Sequence, residues 1–307
     1  MPPEAAVSKR IDTLYLVLVS MRPNQWLKNS FVLAALLFSK NTFHPAQAAA
    51  GFLAFGVFCL ASSAVYLLND LLDREQDRRH PKKQLRPLAS GELEPRTAWG
   101  AFALVLPAAL LSGSLINATF LLLVSVYLVL QIAYCTFLKR IIILDVFSIA
   151  SGFFLRVAAG SAAIQVPMSR WLLICTIFIS LFLALAKRRQ ELLSLGDGAG
   201  NHRPVLDEYN VRFLDQMVSI ATAGTIVSYS LYTLSEETIT KFGTAQLWLT
   251  VPIVLYGISR YLYLVYKQAD GGAPEEIVWK DRPLLTCLVL YVASALLIVY
   301  LHSGSLP

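Results

Sequence analysis

Apolar segments of roughly 20 residues recur along almost the whole chain, each long enough to cross a bilayer as a helix. Hydrocarbon cannot satisfy the backbone of an open sheet edge, so such segments must be helical. We place nine spans, at about 23–39, 46–68, 96–114, 117–137, 142–165, 169–186, 214–234, 245–266 and 284–303. The stretch 11–20 (IDTLYLVLVS) is too short to cross and is expected along the interface. The chain is 15% charged, against about a quarter in soluble domains, which removes the soluble classes. No linker divides it. The expected architecture is therefore all-α: one integral-membrane domain over 1–307, with nine transmembrane helices.

Lysine and arginine set the orientation. Counted against these spans, 21 of the 26 fall on one side, while Lys40, Arg170 and Lys241 fall on the other and Arg156 and Arg260 lie within spans. The N-terminus and the loop after the second span are thus expected in the cytoplasm, and an odd number of spans leaves the C-terminus outside. The net charge of +6 reflects this basic crust against anionic lipid headgroups, so the bilayer, and no nucleic acid, is the expected partner. Cys59, Cys135, Cys175 and Cys287 fall singly in four different spans and read as core thiols.

Three polar stretches, 69–95, 187–213 and 267–283, share the cytoplasmic face, and the last contains a Gly-Gly turn. They are expected to cap one cavity open to the cytoplasm. The first carries the densest chemistry. Asn69, Asp73 and Asp77 are four apart, with Asp70 three before Asp73, a spacing that stacks oxygen-bearing side chains on one helical face. Such carboxylates repel one another unless a cation intervenes, and hard oxygen donors suit Mg2+, which takes one or two carboxylates and fills its remaining positions with phosphate and water. Pairing with Arg74, Arg78 and Arg79 at an interfacial helix end is the competing account of the same acids.

The run NDLLDREQD over 69–77, followed by HPKKQLRPLASG over 80–91, resembles the first aspartate-rich motif of the UbiA-type intramembrane prenyltransferases. The upstream RPNQWLKN over 22–29 and the nine spans fit the same superfamily. The resemblance implies a helical bundle around a central cavity, with Asn69, Asp73 and Asp77 holding Mg2+ against a diphosphate and Asp70 in support as the catalytic set. Members also carry a second aspartate-rich motif after the sixth span. This chain instead reads AKRRQE over 186–191, and Lys187 with Arg188 in place of carboxylates expects an additional anion. A topogenic anchor is the alternative there. With LDVFSIASGFFLRVAAG over 144–160 and GAPEEIVWKDRPL over 272–284, the pattern resembles the branch that transfers phosphoribosyl from phosphoribosyl pyrophosphate to a polyprenyl (decaprenyl) phosphate for bacterial cell-wall arabinan. The plasma membrane is then the expected location.

Arg156 has weight of its own, because a charge at mid-span costs at least roughly 2.5–3.5 kcal/mol unless it faces a cavity or partner. Asp145 lies eleven residues earlier near the same helix face, so a structural ion pair between the two, helped by another helix, is the alternative to a ligand or cavity role. Lys28, Lys83, Arg86, Lys139 and Arg282 sit at span ends as further candidate substrate contacts beside Asp145, Arg156, Lys187 and Arg188, with a purely topogenic role the alternative for each of the five. Among the histidines only His80 borders the motif, and no Ser/His/Asp set, zinc spacing or Gly-rich phosphate loop occurs. An ordinary prenyltransferase acting on an aromatic or other acceptor, and a lipid-phosphate transporter, are the alternatives. The sequence leaves the oligomeric state open, a homo-oligomer included.

Overall fold

A computed structural model describes residues 3–39, 44–167, 169–195, 204–267 and 280–301. Most of the 267–283 stretch with its Gly-Gly turn, residues 196–203, His202 and His302 lie outside the described residues. The elements, all helical among the described residues, are α1 (Pro3–Ser20), a 3₁₀ segment (Pro23–Leu33), α2 (Ala34–Leu37), α3 (Pro45–Leu72), α4 (Arg74–Arg78), α5 (Pro87–Ser90), α6 (Pro95–Ser114), α7 (Ala118–Thr136), α8 (Leu144–Ala163), α9 (Arg170–Leu195), α10 (Val211–Leu234), α11 (Glu236–Phe242), α12 (Val251–Lys267) and α13 (Arg282–Leu301), with short 3₁₀ turns at Lys83–Leu85, Leu138–Arg140, Pro204–Glu208 and Gln246–Thr250. Among the described residues, eight helices are long and apolar enough to cross a membrane. They correspond to the second through ninth expected spans, and the protein is a multi-pass membrane protein.

The first expected span takes a different form, and its sequence shows why. Residues 23–33 run as a 3₁₀ helix, with a single α turn after it. Trp26, Asn29, Val32 and Ala35 recur every third residue, and three residues per turn puts them on one face. That face is anchored on α3. The Trp26 indole donates to Ser63 Oγ at 3.1 Å, the Asn29 amide donates to Ser62 Oγ at 3.1 Å, and Val32 and Ala35 are buried. An α-helix would swing these anchors progressively off α3.

The chain forms two compact units: Met1–Leu36, Thr42–Lys139 and Leu155–Val166 in one, and Leu37–Asn41, Arg140–Phe154 and Pro167–Pro307 in the other. In the first, α3 is the interior helix: 67% of its apolar window is buried, against 17% for α6. Small residues permit this. Ala54, Ala61, Ser62, Ser63 and Ala64 are buried on α3, and Ala98 and Ala109 on α6. Between helices in lipid, close approach of small residues supplies the packing energy that hydrophobic transfer supplies in water. Phe58, Phe120 and Tyr127 fill the remaining space, with ring centroids 6.0 and 5.2 Å from Phe58. Leu16 and Val17 of α1 pack over Leu88, Leu93 and Ala98.

Gly160, in the second half of α8, meets the 3₁₀ segment backbone to backbone. A Cβ there would lie 1.9 Å from the carbonyl oxygen of Val32. Gly160→Ala is therefore expected to cost at least about 3 kcal/mol, the upper end for overpacking, read as lost thermal stability in detergent. Gly113→Ala is the control, since its Cβ would meet side chains at 3.6 Å. Equal losses in the two variants would sink the argument.

In the second unit α9 packs along α10, and α12 packs on α13. Phe182, Leu185, Leu206, Leu214, Val218 and Tyr261 build its core. The Asn210 side chain caps α10 by accepting from Phe213 N at 2.8 Å. Cys59, Cys135 and Cys287 are buried thiols, Cys175 is half-buried, and none is in a disulfide.

Candidate active site

The helix of the aspartate-rich run breaks at Asp73, yet its hydrogen bonding continues. Asp73 N donates to Asn69 O at 2.9 Å and Asp77 N to Asp73 O at 2.8 Å, so Asn69, Asp73 and Asp77 remain stacked through the break. The basic half of the motif then folds back onto the acidic half. His80 Nδ1 accepts from the backbone N–H of Lys82 at 3.1 Å and of Lys83 at 3.3 Å, which tightens the turn after α4. Pro87 holds Arg86 extended, at φ −68° and ψ 143°. The guanidinium of Arg86 thereby reaches Asp77 Oδ2 at 2.5 Å and Asp70 Oδ1 at 3.2 Å. Arg74 and Arg78, the partners weighed for the acids, instead donate to the carbonyls of Leu88 and Ala89 at 3.1 Å and pin the returning loop.

Each aspartate of the run has cations in reach. Lys139 Nζ bonds both oxygens of Asp73, at 2.6 and 2.7 Å, and Lys83 Nζ lies 3.8 Å from Asp77 Oδ1. Arg22 donates to Asp70 Oδ1, the oxygen that also accepts Arg86. Asp70 and Asp77 are buried, whereas Asp73 is partly exposed. Among the described residues, Arg22, Lys83, Arg86 and Lys139 thus meet the three carboxylates of the run, four cations to three acids. Arg22 was absent from the residues singled out by sequence. It precedes the first span, where a topogenic charge is ordinary, and its signal was its place at the head of the RPNQWLKN run. Its backbone is left-handed, at φ 53°, a conformation unusual outside glycine that turns the chain into the 3₁₀ segment. The guanidinium also lies over the Tyr66 ring, 4.8 Å from its centroid.

These donors fit a divalent ion of the Mg2+ type. Asn69, Asp73 and Asp77 are hard oxygen donors stacked at one helix end. Among the described residues no three His, Cys, Asp or Glu side chains gather closely enough to hold a metal by themselves.

Arg156 is 7% exposed. Its Nε donates to Asn29 Oδ1 at 2.9 Å, its Nη2 donates to Tyr127 OH at 2.8 Å, and its guanidinium lies 4.8 Å from the Tyr127 centroid. Asp145, weighed as its partner on the same helix, belongs to the second unit and is fully buried there. Asp145 Oδ2 accepts from Arg188 Nε at 2.6 Å and Oδ1 accepts from Tyr209 OH at 2.7 Å. Arg188, expected to meet substrate, is 1% exposed and donates a second bond to Glu191 Oε2 at 2.6 Å. Helix packing closes over both Asp145 and Arg188, and the carboxylate–guanidinium bond joins them. Lys187 beside them is half-buried, as is Lys28 in the 3₁₀ segment. Arg282 is exposed at the start of α13. Next to it, Asp281 pairs with Arg260 Nη2 at 2.7 Å, and that bond holds the Asp281 carboxyl below its ordinary range.

A family model described as the UbiA prenyltransferase family matches residues 29–276. The chain is 34% identical, over 95% of its length and 93% of the relative's, to the decaprenyl-phosphate phosphoribosyltransferase of Mycolicibacterium smegmatis. It is also 34% identical to the protein of the same name from Corynebacterium glutamicum, over 92% of this chain and 86% of that one. Its fold is similar to the structure of a UbiA homolog from Archaeoglobus fulgidus bound to GPP and Mg2+, with a TM-score of 0.69 and 19% identity over 92% of this chain and 99% of that chain. An aspartate-rich helix end folded under its own basic loop, within a pattern matched over most of the sequence, leads to one conclusion: the chain belongs to the UbiA prenyltransferase family.

Proposed function

We propose that the protein transfers the 5-phosphoribosyl group of phosphoribosyl pyrophosphate to a polyprenyl phosphate, decaprenyl phosphate foremost, and releases pyrophosphate. It would act as one membrane-embedded domain of a bacterial plasma membrane, facing the cytoplasm, in the supply of cell-wall arabinan precursor. The observation that carries this reading is the near full-length likeness to relatives of that name. The excess of cations over the aspartate cluster supports it, because both substrates are phosphate anions.

An oxygen of the lipid phosphate attacks C1 of the ribose, the bond from C1 to the pyrophosphate oxygen breaks, and the electron pair leaves with pyrophosphate. The lipid phosphate is already an anionic nucleophile at neutral pH, so no general base is required. Asn69, Asp73 and Asp77 would hold Mg2+, which supplies positive charge against the departing pyrophosphate. Arg22, Lys83, Arg86 and Lys139 exchange carboxylate partners for phosphate oxygens and orient the donor. Asp70, buried beneath two guanidinium groups, positions Arg22 and Arg86. Lys187 donates to a further substrate phosphate, with Arg188 and Asp145 holding its helix.

The test uses purified protein, phosphoribosyl pyrophosphate labelled in the ribose, Mg2+ and a polyprenyl phosphate. Label should enter the organic phase and should stay aqueous when Mg2+ is chelated. Label that never becomes lipid-soluble, while a prenyl diphosphate is consumed with an aromatic acceptor, would replace this reading with ordinary prenyl transfer. Movement of lipid phosphate without chemistry would point to transport. For orientation, Gln84→Cys should be labelled by impermeant reagent only from the cytoplasmic side and Leu115→Cys, at an 80% exposed position, only from outside. Labelling of both from one side overturns the topology.

A further inference from the structure

Tyr209 lies outside every motif that marked the site. It is 5% exposed, and its ring stacks with Phe213 at a centroid distance of 6.1 Å. Its hydroxyl does two jobs: it accepts the backbone N–H of Ile143 at 2.9 Å and donates to Asp145 Oδ1 at 2.7 Å. The phenol is pushed well above its ordinary pKa by burial and then by the bond to Asp145, so it remains a donor at any working pH. Ile143 has φ 68°, a left-handed conformation that is an outlier for a β-branched residue and marks a constrained turn. Beyond Asp145 the network continues through Arg188 to Glu191. Packing alone would be met at lower desolvation cost by an apolar side chain in place of this buried guanidinium.

We propose that Tyr209 is a positioning residue: by closing the Ile143 turn onto Asp145 it fixes the side of Asp145 that grips Arg188, and so the register in which Lys187 is presented to a substrate phosphate. The inference rests on the reading above, in which Lys187 meets a phosphate of phosphoribosyl pyrophosphate. Without the hydroxyl, Asp145 Oδ1 loses the bond from Tyr209. The carboxylate, held less firmly on that side, turns toward Arg188 and draws the guanidinium and its stretch of α9 with it.

Tyr209→Phe, assayed in the full-length protein, is expected to raise KM for phosphoribosyl pyrophosphate about tenfold, with kcat and KM for polyprenyl phosphate within about twofold. In a Lys187→Ala background the same change should add little, since both act on one contact. A merely structural tyrosine would lower the folded fraction and with it the apparent kcat, but KM is read only from molecules that bind and turn over. An unchanged donor KM, an equal rise for both substrates, or full additivity with Lys187→Ala would each overturn the proposal. Asp145→Asn carries the same donor-selective expectation, because it keeps the acceptor at Oδ1. Failure of both variants to accumulate as folded protein would assign the network to folding alone. If the wild type moves no label from phosphoribosyl pyrophosphate into lipid, the underlying function fails instead.

Discussion

Asp73→Asn and Asp77→Asn are each expected to lower transfer at least about a hundredfold in saturating Mg2+, the scale lost when a preorganised electrostatic contact to the reacting charge is removed. Asparagine is chosen because it keeps shape and one oxygen while removing the charge that an ion and its neighbouring cations require. Alanine at 77 would also remove the oxygen that accepts from Arg86, leaving Asp70 to hold that guanidinium and lowering stability. The two effects are separable. Stability is followed by thermal unfolding in detergent, and turnover by label entering lipid across a Mg2+ series. Asp70→Asn should behave differently, raising KM for phosphoribosyl pyrophosphate through Arg22 and Arg86 with a smaller change in Mg2+ requirement. Near-normal turnover of Asp73→Asn or Asp77→Asn would remove that carboxylate from the metal assignment.

Lys187→Ala is expected to weaken use of phosphoribosyl pyrophosphate about tenfold or more, since charge-assisted hydrogen bonds contribute roughly 1.5–3 kcal/mol and 1.4 kcal/mol is a factor of ten. Asn69, Asp73 and Asp77 would hold an ion that supplies positive charge against the pyrophosphate, but the 5-phosphate is a separate dianion that requires donors of its own. A donor analogue lacking the 5-phosphate distinguishes the possibilities. If Lys187 meets that group, its removal harms the true donor far more than the analogue. Equal losses would assign Lys187 to the pyrophosphate, to the lipid phosphate, or only to the membrane.

The long spans were legible because a bilayer demands about 20 apolar residues and hydropathy averages report that demand directly. The same averages say nothing about helix type, which is why 23–39 read as one ordinary span. The period of Trp26, Asn29 and Val32 was visible but had no meaning until α3 supplied the surface beneath it. The acidic and basic halves of 69–91 were legible as a pair, because their attraction is local in sequence. Arg22 was not, since Asp70 lies 48 residues away. Asp145 was matched with Arg156 because the two share a helix, whereas the fold brings Arg188 and Tyr209 to it from 43 and 64 residues away. Single-chain spacing carries no information about such partners. His80 bordered the motif in sequence, and its ring in the structure is a backbone staple of the turn.

The 3₁₀ segment carries a consequence for how this stretch can diverge. Its anchors are counted in threes, so a change of residue type at an outward position such as Ser30 leaves the anchors where they are. Inserting or deleting a single residue between Trp26 and Asn29 rotates everything beyond it by about a third of a turn. Asn29 would leave Ser62 and Arg156, and Val32 would lose its seat against Gly160. Related chains should therefore vary freely in composition over 23–33 while keeping its length, with gaps confined to the flanks.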